Sequence, residues 1–112
     1  MFARVVTVQT LPGRIEDVMS IFRDSIIPAA RQQKGIRGGF LLVDRRTVTA
    51  QSVSLWDTEA EMLASETSGF LREQGAKLAP LLAGSPITEH LEVALYDGVA
   101  VQALAESEGA GG

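Results

Sequence analysis

Cysteine is absent from the 112 residues. Disulfides, thiolate metal sites and cysteine nucleophiles are thereby excluded. Histidine occurs once, as His90, and no cluster with metal-ligand spacing appears. Basic residues are the minority: ten Lys+Arg against fourteen Asp+Glu leave a formal net charge of −4. That balance offers no general attraction to phosphate backbones or anionic membranes, so no nucleic-acid and no membrane partner is expected. No apolar run approaches the roughly 18 residues of a membrane span, and no basic segment leading into a long apolar run opens the sequence. A cytoplasmic protein is the resulting expectation. Gly38-Gly39 is too short to cradle a phosphate, and no GxGxxG follows a strand. Neither a metal nor an organic cofactor is therefore expected.

What is present is an ordinary globular balance with regular patterning. Residues 3–10, ARVVTVQT, are rich in β-branched side chains and stop before Pro12-Gly13, which predicts a first strand. Ile15, Val18, Met19, Phe22, Ile26 and Ala30 fall at helical spacing and form one apolar stripe. Pro28 removes a backbone donor, which predicts a kink or break over residues 24–28. Residues 38–46 and 49–56 read as a hairpin. Thr58 stands three residues before Glu61, the capping-box spacing of a helix start. Gly69 interrupts that helix, and Phe70, Gln74, Leu78 and Leu81 continue it on one side. Residues 86–96 alternate as a fourth strand, with Ile87, Leu91, Val93 and Leu95 on one face and Thr88, His90, Glu92 and Tyr96 on the other.

The order β-α-β-β-α-β is the ferredoxin-like α+β arrangement: a four-stranded antiparallel sheet with two helices on one face. It predicts one domain over residues 1–96 and a C-terminal tail over 97–112. Such a sheet ordinarily leaves one face in water, yet FLLV at 40–43 and the first strand are apolar on both faces. Two apolar faces need two covers. The helices supply one, and a second copy packed sheet against sheet supplies the other, so a homodimer is expected.

A two-residue Thr47-Val48 turn would pair Gly39 with Trp56, Leu41 with Ser54 and Val43 with Ser52, and on the other face Phe40 with Leu55 and Leu42 with Val53. The single tryptophan would then lie over a glycine with two hydroxyls beside it. Two readings are open. Trp56 is core filler, or it borders a ligand pocket with Ser52 and Ser54 as polar floor and Met19, Phe22, Met62 and Phe70 as roof. His90 is likewise either a general base oriented by Glu92 or part of a polar surface ladder, the second being the simpler reading.

The stretch KGIRGGFLLVDRRTVTAQSVSLWDTEAEM resembles the antibiotic biosynthesis monooxygenase-like family of dimeric α+β barrels, whose members show a Gly-Gly run, an LLVDR strand and an LW strand end before the second helix. The resemblance covers roughly residues 1–96. Ile36 stands where an aromatic is common, and Thr47-Val48-Thr49 where Thr-Gly-Lys is common. It implies a cofactor-independent monooxygenase that oxidises an aromatic or quinol-like small molecule with O2, with Trp56 and Ser52 as catalytic residues. Met19, Phe22, Gly39, Ser54, Met62 and Phe70 would line the substrate site. Ser52 occupies the position of a family asparagine. Haem-degrading members carry a second-helix histidine that residues 57–84 lack, so haem chemistry is not expected. The alternative is a non-catalytic dimeric barrel that binds a small hydrophobic ligand or serves a structural role.

Overall fold

A computed structural model describes residues 1–98. The expected tail lies, beyond residue 98, outside the described residues. Four strands, β1 (Phe2–Gln9), β2 (Ile36–Asp44), β3 (Thr49–Trp56) and β4 (Ile87–Glu92), form one sheet in the order β2-β3-β1-β4. Every neighbouring pair is antiparallel, which is the ferredoxin-like arrangement expected from the element order. Helices lie against one face. The fourth strand is shorter than residues 86–96 because it runs out of partner: Phe2 sits opposite Glu92, and the last bond is from the Val93 N–H to the Met1 carbonyl.

The first helical segment begins after the Pro12-Gly13 turn, with Glu16 and Asp17 in its first turn where they complement the helix dipole. It does not break ahead of Pro28. α1 (Ile15–Ile21) passes into a π turn (Phe22–Ile26) and then α2 (Ile27–Ala30). The Ile27 N–H reaches back to the Phe22 carbonyl, five residues away. The wider turn accommodates the donor that Pro28 lacks, and Phe22 and Ile26 at its two ends are both buried in the core. α3 (Glu59–Thr67) starts as the capping spacing predicts: the Thr58 hydroxyl accepts the Glu61 N–H at 3.1 Å and donates to the Glu61 carboxylate at 2.9 Å. Gly69, at φ 91, separates it from α4 (Phe70–Leu78). Val18, Phe22, Ile26, Leu78 and Leu81 form the main apolar cluster. Val8, Ile15 and Ala50 form a second one beneath it.

The hairpin corrects the expected register. Gly39 pairs with Ser54, Leu41 with Ser52, Val43 with Ala50, Phe40 with Val53 and Leu42 with Gln51. This is a two-residue shift, so the faces survive while the partners change. The loop is four residues, 45–48, because the Asp44 carboxylate accepts the N–H groups of Arg46 and Thr47 and turns the chain early. Val48 closes it at φ 49, an unfavourable region for a β-branched residue. Its carbonyl accepts the Thr10 N–H at 2.9 Å and the Thr10 hydroxyl at 2.8 Å, which hold it there. Val48→Asn keeps those backbone bonds and tolerates the left-handed region. It should raise stability by about 0.5–1 kcal/mol, read as a higher melting temperature.

The sheet has two distinct faces. Arg4, Val6, Val8, Ala50, Ser52, Ser54 and Trp56 share the helix-side parity, and the cross-strand pairs carry it to Gly39 and Leu41. The opposite face carries Phe40, Leu42, Ile87 and Leu91, each about half exposed or more, with Val5, Val53 and Leu55 between them.

Candidate functional site

An apolar groove of about 230 Å³ opens between the first helical segment and the β2–β3 hairpin. Phe22, Ile26, Ile27 and Ala30 form its helix wall, and residues 38–41 and 52–54 its sheet wall. Ile36 and Arg31 complete the lining. A void of about 60 Å³ behind it shares Phe22, Ile26 and Ser52. Phe22 and Ile26, one turn apart on the same helix face, both point at this place from the two ends of the π turn. The bulge between Ile36 and Gly38 loosens the β2 edge at the groove mouth.

Polar groups on the groove wall are few. The Ser54 hydroxyl accepts the Trp56 indole N–H at 2.9 Å, which leaves its own proton to donate. The Ser52 hydroxyl has no hydrogen-bond partner among the described residues, although the residue is half-buried. An aromatic or quinol-like molecule in the groove would therefore meet apolar walls and two available hydroxyl donors. Among the described residues, no group of three His, Asp or Glu is placed to hold a metal ion.

Of the sequence-predicted site residues, the structure brings Phe22, Gly39, Ser52 and Ser54 together on this groove. The other four lie elsewhere. Trp56 is 1% exposed and borders none of the described cavities. The two-residue register shift takes Gly39 out from under the indole, and the bulge between Ile36 and Gly38 adds one more residue and puts Ile36 opposite it. Gly39 is needed for a different reason: a Cβ there would come within 2.6 Å of the Val53 carbonyl oxygen. Met19 lies on the hairpin side, its sulfur 3.7 Å from the Arg45 guanidinium. Met62 is fully buried beneath α3, beside a separate surface hollow with Phe2 and His90. Phe70 is half-buried at the start of α4, away from the groove.

The indole instead belongs to a polar cluster that sequence reasoning missed. Arg4 is buried, with its guanidinium 5.1 Å from the Trp56 ring centroid. One of its nitrogens donates to the Met62 carbonyl at 3.1 Å, the Ser65 hydroxyl at 2.7 Å and the Glu66 carboxylate at 3.2 Å. Burial lowers the Arg4 pKa, and the Glu66 partner opposes that shift. Glu66 also holds His90 Nε2 at 2.7 Å. His90 is thus oriented by Glu66, not by Glu92. The available signal was a lone arginine at inward parity on β1, where the other inward positions, Phe2, Val6 and Val8, are apolar. The groove residues Ile26, Arg31, Ile36 and Leu41 were also missed, because nothing in the pattern showed where the π turn would aim the helix.

No protein-family model matches the chain. Two uncharacterised proteins of Mycobacterium tuberculosis are similar to it. One is 31% identical over 96 residues, covering 85% of this chain and 39% of the relative. The other is 32% identical over 98 residues, covering 84% and 41%. The chain thus spans about two fifths of the length of these curated relatives. Among solved structures, a protein of unknown function from Nitrosomonas europaea aligns with a TM-score of 0.69 at 23% identity, over 88% of this chain and 94% of that one. A candidate antibiotic biosynthesis monooxygenase from Deinococcus radiodurans aligns with a TM-score of 0.71 at 14% identity, over 89% and 99%. One from Bordetella bronchiseptica aligns at 0.66 and 19%, over 84% and 97%.

Proposed function

From the antibiotic biosynthesis monooxygenase-like fold that the chain shares with these structures, we propose that it binds a small electron-rich aromatic in the groove between the π turn and the hairpin. There it acts as a cofactor-independent monooxygenase on a phenolic or quinol-like compound. The observation that carries this reading is the groove itself: apolar walls, with the unpartnered Ser52 hydroxyl at the junction of the two voids. In such a reaction the bound phenol loses its proton and the anion passes electrons to O2. One oxygen atom enters the ring system and the other leaves as water, so a CH2 centre becomes a carbonyl. The protein's part is to exclude water, orient the ring and stabilise the oxyanion with Ser52 and Ser54. The groove lining contains no carboxylate or imidazole, so the proton leaves to solvent. The unit of function is a homodimer joined through the apolar sheet face.

A second reading is binding without turnover. The burial of Trp56 away from the groove favours it, because the indole then has no contact with a ligand. Uptake of isotopically labelled O2 with a panel of anthrone-like phenols, which carry the CH2 centre, separates the two. One O2 consumed per molecule, with the isotopic label in the new carbonyl and no hydrogen peroxide, supports the monooxygenase, saturable binding without uptake supports the binding domain, and neither result leaves the groove without the proposed role. Ser52→Ala should stay folded and weaken binding, or slow oxidation, by about tenfold, the loss of one hydrogen bond. Unchanged values would remove Ser52 from the site.

A further inference from the structure

Charge, not only shape, sets what the groove admits. Arg31 is the single charged side chain on its lining. It is exposed at the end of α2. Among the described residues it makes no ion pair, whereas Arg4, Arg14, Arg23, Arg37, Arg45 and Arg46 each have one. The surrounding sequence shares this bias. From residue 25 to residue 43 the chain carries no Asp or Glu, yet it carries Arg31, Lys34 and Arg37. That segment supplies both the last part of the helix wall and the outer sheet wall of the groove. In a protein of net charge −4, the groove lining thus carries one positive charge and no negative one.

We propose that Arg31 is a specificity-determining residue and that the groove's ligands are aromatic acids, carrying a carboxylate or phenolate at the mouth and an apolar body inside. The inference rests on the groove being the ligand site. A planar guanidinium beside an apolar slot suits an oxyanion, which it can engage with two parallel hydrogen bonds. It disfavours a protonated amine of the same shape. A cation near a helix C-terminus also complements the helix dipole. That role concerns stability alone and leaves ligand preference untouched.

Calorimetric titration of the full chain with three probes of matched shape tests this: 2-naphthoate, 2-naphthalenemethanol and 2-naphthylmethylammonium. The expected order is naphthoate tighter than the alcohol by roughly fivefold, as for an exposed charge pair, with the ammonium weakest. The naphthoate advantage should shrink at high salt. Arg31→Gln should abolish it while leaving the alcohol's affinity as it was. Arg72→Gln, which removes an equal charge from outside this groove, should preserve it. Equal affinities for acid and alcohol, or an advantage that persists in Arg31→Gln, would overturn the inference while the groove remains a binding site. Failure of all three probes to bind would remove the groove reading and this inference with it.

Discussion

Arg4→Ala should lower folding stability by about 3 kcal/mol, with the native fold retained in the remaining population. The Arg4 side chain is 4% exposed and Glu66 24%, so one end of the ion pair is deeply desolvated and the other partly hydrated. Truncation removes three charge-assisted hydrogen bonds, to Met62, Ser65 and Glu66. It also opens a cavity against the indole of Trp56, which sits 5.1 Å from the guanidinium. Two features temper the loss. The Ser65 hydroxyl still donates to the Met62 carbonyl at 2.7 Å, and Glu66 keeps His90 at 2.7 Å. Urea unfolding measures the change directly, with an unchanged slope expected because the exposed area on unfolding is similar. Arg4→Met refills the volume without the charge and should cost less than half as much. If both substitutions cost less than about 1 kcal/mol, the cluster is ornamental to stability.

The Arg4 cluster marks where the sequence ceased to be legible. Periodicity exposed the elements because apolar spacing at Ile15, Val18, Phe22 and Ile26 follows directly from burial on one helix face. Thr58 and Glu61 exposed a helix start because capping is a local interaction. The inward face of β3 was readable as well, since a two-residue slip keeps side-chain parity. The pairing across the hairpin was not. It depends on the Asp44 carboxylate winning two N–H groups and on Val48 accepting a strained φ, neither of which a residue pattern encodes. Once the register moved, Trp56 lost the glycine beneath it and became core, and the groove opened beside Ser52 and Ser54 instead. The form of the irregularity in the first helix was not readable either. Pro28 announced an irregularity, but a break, a kink and a widened turn all relieve a missing donor. The structure takes the widened turn, and Phe22 and Ile26, four residues apart, keep the shared face that their spacing gave them.

Leu42→Asp should convert a dimer into a folded monomer. In the single chain Leu42 is 49% exposed, and Phe40, Ile87 and Leu91 on the same face are exposed to 51%, 64% and 51%. A carboxylate at that position can therefore stay hydrated in the isolated chain and cost its fold little. In a symmetric sheet-to-sheet dimer the same residue is placed twice in the interface. Burying two unpaired carboxylates costs several kcal/mol each, enough to weaken association by at least a thousandfold. Sedimentation at micromolar concentration should give the unmodified protein a mass near twice 11.9 kDa and the Leu42→Asp protein a single chain's mass. Its far-ultraviolet circular dichroism should remain native. Its melting temperature should no longer rise with protein concentration, as that of the dimer does. Gln51→Asp, at the residue that pairs with Leu42, serves as a second probe of the same face and should act in the same direction. A monomeric unmodified protein, or a dimer that tolerates both carboxylates, would place the partner contact elsewhere. The exposed apolar face would then need another cover.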